Sequence, residues 1–292
     1  MRCTGRRTRK SSVAIGCCIA LGIGFSAGAQ DRPGAVPVDY YGPPVCSSGA
    51  KAPAHSDAIA RARREQTDGL RDTHAIPSAE PLENFGIQRY RLVEYSDCTG
   101  DSGCYWADLD AQYKRAEGAL AAELAQHKGE KLALVMDIDE TALTNYCEMR
   151  REDFGFIEPM DRAWELSPAS STAIPGALRL FKQAKAAGVA VFFITGRPGT
   201  PNRSQAKPNA DETAATARNL EAAGFHGWAG LLLRNGPENG MQTVEYKSSE
   251  RRRIQAQGYR ILLSVGDQWS DLLGDPQAEV SVKLPDPFYF IP

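Results

Sequence analysis

Residues 132–141 read Leu-Ala-Leu-Val-Met-Asp-Ile-Asp-Glu-Thr, a short apolar run that ends in acidic residues. Such a run is typical of a strand buried on both faces of a parallel sheet. Four further apolar runs follow it along the chain, at 189–194, 231–233, 261–265 and 280–284. Because helical patterns separate these runs, the sequence predicts an α/β fold with a doubly wound, Rossmann-like parallel sheet.

The predicted helices are marked by apolar periodicity. Apolar residues recur at three- and four-residue steps across 109–124, which predicts an amphipathic helix before the first strand and places the start of the well-ordered chain near Trp106. A second helix is predicted from Pro175 to Gly188. A third begins near Asn209, which forms a capping-box pattern with Glu212.

The first 29 residues have the pattern of an export signal. Basic residues at 2–10 precede an apolar stretch, and Ala27-Gly28-Ala29 has the small-x-small form of a cleavage site. A twin-arginine signal at Arg6-Arg7 is less favoured because the usual apolar pair does not follow it. Lipidation of Cys17 or Cys18 is less favoured because too little apolar sequence precedes them. Cleavage here predicts an exported protein, periplasmic or secreted, that retains no stable membrane span.

The mature protein would be acidic. Removal of 29 residues with five positive charges leaves 263 residues with 29 basic and 36 acidic side chains, a formal net charge of −7. This balance, without a basic stripe, argues against a nucleic-acid polymer as a partner. Residues 30–80 are rich in Pro, Ala, Gly and Ser and predict an irregular arm, whereas residues 81–292 are long enough for one α/β domain. An oligomer is compatible with the sequence.

Four cysteines remain after the predicted cleavage: Cys46, Cys98, Cys104 and Cys147. An even number in an exported protein indicates disulfide bonds. Pairing of Cys98 with Cys104 across a Gly-containing turn is the local option, which would leave Cys46 with Cys147. Free thiols are the alternative.

Polar side chains follow three of the predicted strands, where ligands bind in such sheets. They are Asp137 and Asp139 after the first strand, Thr195, Gly196 and Arg197 after the second, and Asp267 and Asp271 after the fourth. Carboxylate oxygens gathered in this way suit Mg²⁺. No cluster of His or Cys in the sequence offers a zinc site.

The spacing of Asp137 and Asp139 has a chemical reason. On a turn from strand to loop, Asp137 can act as a nucleophile, while Asp139 lies close enough to protonate a leaving oxygen and later to activate water. The Thr195 hydroxyl and the backbone N–H of Gly196 can bind phosphate oxygens. Phosphoryl transfer also needs a nearby cation, and Lys247, near the start of the helix before the fourth strand, is expected to provide it.

These segments together resemble the four motifs of the haloacid dehalogenase superfamily. The matching segments are Asp-Ile-Asp-Glu-Thr at 137–141, Phe-Ile-Thr-Gly-Arg at 193–197, Lys247 and Gly-Asp-Gln-Trp-Ser-Asp at 266–271. Within the superfamily they are similar to the secreted acid phosphatases, a branch with bacterial class B and C enzymes and plant vegetative storage proteins. The resemblance covers residues 85–292 and implies a magnesium-dependent phosphomonoesterase with a covalent aspartyl-phosphate on Asp137.

The resemblance also implies a role for each motif residue. Mg²⁺ would be held by the Asp137 side chain, the Asp139 backbone carbonyl and Asp267, and Asp271 would support the metal site from behind. Thr195, Gly196 and Lys247 would hold the phosphate. Arg197 matches the motif and either joins them or pairs with a carboxylate elsewhere.

Residues 142–174, here called the cap segment, are too long for a minimal loop between the first two motifs. In the superfamily such insertions resemble caps that close over the site and select the substrate, here a small-molecule phosphate monoester. The cap segment contains Tyr146, Phe154, Phe156 and Trp164. These rings would either stack on a nucleoside or aryl leaving group or form the core of the cap itself.

Two other functions are compatible with the same fold. One is a storage or ligand-binding protein, which keeps the scaffold but can lose the nucleophile. Asp137 is present in this sequence, which favours an active enzyme. A phosphotransferase would use the same phosphoenzyme and pass the phosphoryl group to an alcohol rather than to water.

Overall fold

The computed structural model describes residues 82–291 apart from Ala169 and 200–211, together with Pro44, Cys46 and isolated residues between 60 and 74. The predicted export signal, nearly all of the predicted arm at 30–80 and the predicted helix start at Asn209 lie outside the described residues. The domain limits drawn from the sequence therefore stay predictions.

Strands and helices are interspersed along the described chain. The strands are β1 (Leu132–Met136), β2 (Leu143–Thr144), β3 (Thr172–Ala173), β4 (Ala190–Pro198), β5 (Gly230–Arg234), β6 (Arg260–Gly266) and β7 (Val280–Lys283). The helices are α1 (Phe85–Asp97), α2 (Tyr105–Gln126), α3 (Tyr146–Arg151), α4 (Glu158–Leu166), α5 (Pro175–Ala186), α6 (Glu212–Ala222) and α7 (Thr243–Ala256). No helix in the described ranges is both long and apolar enough to cross a membrane.

The main sheet has the strand order β5-β4-β1-β6-β7, and every neighbouring pair is parallel. The predicted parallel α/β fold is therefore confirmed. At the end of the central strand β1, Met136 lies opposite Phe193 of β4 and Val265 of β6. The loops that follow β1, β4 and β6 consequently meet at one edge of the sheet, where this fold places its ligands.

Side chains of β1 alternate between two apolar layers. Leu134 and Met136 face the core built on α2 and α5, whereas Ala133 and Val135 face Tyr246 of α7. The strand is buried on both faces, which explains its unbroken apolar sequence. The two predicted helices at 109–124 and 175–188 are confirmed as α2 and α5.

The predicted start of order near Trp106 is wrong by one helix, because α1 precedes it. In α1 only Val93 and Ser96 are buried, so the helix lacks the apolar stripe that marks a helix in sequence. Hydrogen bonds help to attach it to α2: the Trp106 indole donates to the Ser96 carbonyl at 2.8 Å, and the Tyr95 hydroxyl donates to Asp108 at 2.8 Å.

The cap segment forms a small unit between β1 and α5. Its ends pair as the antiparallel strands β2 and β3, and α3 and α4 lie between them. Both disulfide bonds considered from the sequence are present. Cys98–Cys104 closes the turn between α1 and α2, and Cys46–Cys147 joins Cys46 to α3 across 101 residues of sequence.

Candidate active site

Three aspartates meet beyond the end of β1. Asp137 follows β1, Asp267 follows β6, and Asp271 lies in a short 3₁₀ turn, Trp269–Asp271. All three are buried, and each offers one carboxylate oxygen within 4.8 Å of the others. Glycine is required at position 266, since a Cβ there would lie 2.1 Å from the Asp271 carboxylate. The sequence thus folds so that these carboxylates share one small volume.

Lys247 supplies the positive charge within this group. Its Nζ lies 2.8 Å from Asp137 Oδ1 and also pairs with Asp271. Burial lowers the pKa of Lys247, but the two carboxylates outweigh burial and raise it above its usual range. The side chain therefore stays protonated, held on the second turn of α7.

Negative charge nevertheless exceeds positive charge at the cluster. Burial, together with the neighbouring carboxylates, raises the pKa of Asp137 well above its usual range against the opposing effect of Lys247, and burial likewise raises that of Asp267. Three carboxylates against one ammonium leave two uncompensated negative charges when all are ionised. A divalent cation would balance these two negative charges and takes oxygen ligands, so the donor set fits such an ion.

Two further contacts fix Asp267. Its Oδ1 accepts a hydrogen bond from the Thr141 hydroxyl at 2.9 Å, and its Oδ2 accepts one from the Gln268 side chain at 2.8 Å. Thr141 is itself held because the Tyr113 hydroxyl donates to its carbonyl at 2.7 Å. The loops after β1 and β6 are therefore joined side chain to side chain beneath the cluster.

Asp139 is held away from the cluster by Arg197. Arg197 donates from Nε to Asp139 Oδ2 at 2.9 Å and from Nη2 to Oδ1, and Asn145 donates to Oδ1 at 2.7 Å. Burial raises the pKa of Asp139, but the charge and hydrogen bonds of Arg197 outweigh burial and lower it below its usual range. The carboxylate that Arg197 pairs with, left open by the sequence, is thus Asp139.

The loop between Asp137 and Asn145 is strained at Glu140. This residue has a φ of 48°, in the left-handed region that non-glycine residues rarely adopt. Its buried carboxylate accepts a hydrogen bond from the Asn145 backbone N–H at 2.6 Å, which closes the turn. The strained residue lies directly beside Asp139 and so shapes the loop that carries it.

The two remaining motif residues differ in their access to the site. Gly196 lines the cavity described below, and a Cβ there would meet nothing within 4 Å. Thr195 is fully buried, and its hydroxyl accepts a hydrogen bond from the Arg197 backbone N–H at 3.2 Å. Gly196 thus faces open space, and a phosphate contact from Thr195 stays a prediction.

A cavity of about 680 Å³ opens above Asp137 and Asp139. Its aromatic lining comes from the cap segment and from the C-terminal end of the chain: Phe154, Phe156, Trp164, Phe288, Tyr289 and Phe290. Phe156 and Phe290 are largely exposed, whereas Phe154 stacks on Phe288 at 5.8 Å and Tyr146 is buried in the core. Two of the four cap aromatics, Phe156 and Trp164, are therefore the ones best placed to meet a ligand.

Several contacting residues were not predicted. Gln268 connects Asp267 to Asp286, donating to Asp286 Oδ2 at 2.5 Å, and Glu165 of α4 lies 3.5 Å from Arg197 Nε. Gln268 lies inside the segment 266–271 that the sequence singled out, so its position in a motif could have found it, whereas Asp286 follows the last predicted strand without belonging to a motif named above. Glu165 belongs to no motif, and nothing in the sequence indicates its contact.

Comparison with known proteins identifies a family. Residues 78–292 match the sequence profile described as HAD superfamily, subfamily IIIB (Acid phosphatase). The chain is 33% identical over 159 residues to "Acid phosphatase 1" of Solanum lycopersicum and 34% identical over 161 residues to a "Stem 31 kDa glycoprotein" of Glycine max. These alignments cover 54% of this chain and 58% and 59% of the two relatives.

A solved structure has the same fold. The class C acid phosphatase from Bacillus anthracis aligns with a TM-score of 0.52 and 23% sequence identity, over 70% of this chain and 85% of that one. At this identity the likeness concerns the fold.

Proposed function

This chain belongs to subfamily IIIB of the HAD superfamily, the acid phosphatase subfamily, and we propose that it is a magnesium-dependent phosphomonoesterase that forms an aspartyl-phosphate on Asp137. The observation that carries this proposal is the surroundings of Asp137. Its carboxylate is buried, lies 2.8 Å from the Lys247 ammonium, and faces a cavity that Asp139 also lines.

Asp137 is the proposed nucleophile. One of its carboxylate oxygens attacks phosphorus, and the electron pair of the ester P–O bond moves to the leaving oxygen. Lys247 holds the Asp137 carboxylate in place and provides positive charge where the phosphate oxygens come to lie. The backbone N–H of Gly196, beside open space, is available to the same oxygens. The Thr195 hydroxyl belongs to this proposed phosphate site as well.

Asp139 is the proposed general acid and base. In the first step it gives a proton to the leaving oxygen, and in the second it takes a proton from the water that attacks the phosphoenzyme, which releases phosphate from Asp137. Because Arg197 lowers its pKa, Asp139 rests ionised and must take up a proton before the first step. Arg197 accordingly acts on Asp139 in this proposal and not as a phosphate ligand.

The carboxylate cluster would hold Mg²⁺. The Asp137 and Asp267 side chains and the Asp139 backbone carbonyl are the proposed ligands, and Asp271, bound to Lys247 and to the Gln268 backbone N–H at 2.8 Å, supports them. When bound, the ion supplies positive charge that neutralises the phosphate oxygens.

The cavity supports a substrate with a flat leaving group. Phe156 and Phe290 expose their rings at its wall, and exposed rings stack readily on a nucleoside or an aryl group. We therefore propose nucleotides or aryl phosphates as the substrate class. Export is supported by the two disulfide bonds, which persist mainly in oxidising compartments.

The test is hydrolysis of phenyl phosphate by the purified mature protein in magnesium and in excess EDTA. We expect activity only with metal, and none in Asp137→Asn, whose amide is nearly isosteric but a poor nucleophile. Added ethanol distinguishes a phosphotransferase, because ethyl phosphate would then form at the expense of inorganic phosphate. Absence of activity in the folded, metal-loaded protein would contradict the proposal.

A further inference from the structure

Asn145 connects the cap segment to the loop that carries Asp139. Its side-chain nitrogen donates to Asp139 Oδ1 at 2.7 Å and to Glu140 Oε2 at 3.3 Å. Its side-chain oxygen accepts from the Trp164 indole N–H at 3.0 Å and from the Ser171 hydroxyl at 2.6 Å. The Asn145 side-chain amide thus makes two hydrogen bonds as donor and two as acceptor.

The chemistry of these partners fixes the direction of the amide. An indole N–H only donates, so Trp164 must face the oxygen of Asn145, and an ionised carboxylate only accepts, so Asp139 must face its nitrogen. Aspartate in this position would place a carboxylate against Asp139. An aliphatic residue would leave the Trp164 N–H without its partner.

The two ends of the amide belong to different parts of the molecule. Trp164 lies on α4 and Ser171 directly precedes β3, both within the cap segment, whereas Asp139 lies on the loop after β1. Arg197, at the end of β4, donates to both oxygens of the same carboxylate. The direction in which the Asp139 carboxyl points is therefore set jointly by the sheet, through Arg197, and by the cap segment, through Asn145.

We propose that Asn145 is a positioning residue that aims the Asp139 carboxyl at the leaving oxygen, and that the Trp164 indole N–H holds Asn145 in that orientation. The proposal rests on the proposed phosphatase function. In the step concerned, the ester P–O bond breaks, its electron pair goes to the leaving oxygen, and that oxygen takes the proton from Asp139. Trp164 thereby acts on the reaction through a hydrogen bond, in addition to any contact with substrate.

Dependence on the leaving group separates this role from a purely structural one. An ethoxide leaving group is strongly basic and needs the proton, whereas a para-nitrophenolate leaves readily without it. The experiment measures kcat/KM, which reports the first chemical step, for ethyl phosphate and para-nitrophenyl phosphate with wild type, Trp164→Phe and Asn145→Ala. Trp228→Phe is the matched control, because Trp228 packs against Phe193 in the core.

We expect Trp164→Phe to lower kcat/KM for ethyl phosphate about tenfold more than for para-nitrophenyl phosphate, the effect of one lost hydrogen bond. Asn145→Ala should widen this difference to about a hundredfold, and Trp228→Phe should show none. Equal losses on both esters, with unchanged melting temperature, would overturn the proposal. Trp164→Phe keeps an aromatic ring at this position, so its result alone tests the proposal if Asn145→Ala does not fold. A wild-type protein inactive on both esters would instead contradict the proposed function.

Discussion

Replacement of Asp267 by Asn should stabilise the protein without magnesium and make it less stable than wild type when magnesium is added. Asp267 lies in a cluster whose carboxylate oxygens are within 4.8 Å of one another, and two unit charges at that distance repel by about 3.5 kcal/mol at an effective dielectric constant of about 20. The raised pKa of Asp267, caused first by burial and then by Asp271, means that the fold favours its neutral form over its charged form more than the unfolded chain does. Asparagine imitates that neutral form.

The expected size follows from two opposing effects. Removal of one charge relieves the repulsion between carboxylates. The amide nitrogen, however, replaces an oxygen that accepts from Thr141 or Gln268, and the lost hydrogen bond lowers the stability by about 1 kcal/mol. Without metal at neutral pH, the free energy of unfolding of Asp267→Asn should therefore exceed that of wild type by about 1–3 kcal/mol. Magnesium at a hundred times its Kd should stabilise wild type by about 2.7 kcal/mol and the variant far less.

The assay is urea unfolding of both proteins in EDTA and in magnesium, followed by far-ultraviolet circular dichroism. Asp275→Asn is the matched control, since the Asp275 side chain is 98% exposed in the loop that follows the cluster. The variant should be the more stable protein in EDTA and the less stable one in magnesium. If Asp267→Asn were less stable than wild type by the same amount in both conditions, the repulsion inferred from the cluster would be refuted.

Three further outcomes are expected. In phosphatase assays, Asp267→Asn should regain part of its lost activity at high magnesium, which a titration of rate against metal concentration measures. Lys247→Met should lower the free energy of unfolding in EDTA by about 3–5 kcal/mol, because it removes the cation of a buried cluster; a change no larger than that of the exposed Lys182→Met would contradict this. Burial raises the pKa of Glu165 from 4.5 to about 7, so the folded protein keeps a proton that the unfolded chain loses, and stability falls as pH rises through this window. Glu165→Gln should remove up to about 3 kcal/mol of that fall, which denaturant unfolding at several pH values would detect, whereas exposed Glu158→Gln should not.

The sequence predicts the sheet well because its central strands β1, β4 and β6 are buried on both faces. Burial of this kind forces unbroken apolar runs, and the polar residues that end those runs at Asp137 and Asp267 must then lie at one edge of the sheet. By contrast, α1 was missed because Val93 and Ser96 are its only buried residues and hydrogen bonds help to attach it to α2. A helix held by such contacts leaves no periodic signal.

Contacts between the cap segment and the site could not be predicted from sequence. Asn145 contacts Asp139, and Glu165 contacts Arg197. Both contacts depend on how α3 and α4 pack in the folded protein. A motif fixes the position of Arg197 on the chain, but the side-chain partner depends on the tertiary fold. The same holds for Trp164, which the sequence identifies only as an aromatic ring of the cap segment.

The most direct test of the proposed mechanism is to trap the phosphoenzyme. The mature protein is mixed with para-nitrophenyl phosphate and magnesium, quenched in acid within the first turnover, digested, and examined by mass spectrometry. The proposed mechanism predicts one phosphoryl group on the peptide that contains Asp137, sensitive to hydroxylamine, in wild type and none in Asp137→Asn. Rapid hydrolysis with no phosphorylated peptide, or with the phosphoryl group on another residue, would contradict it.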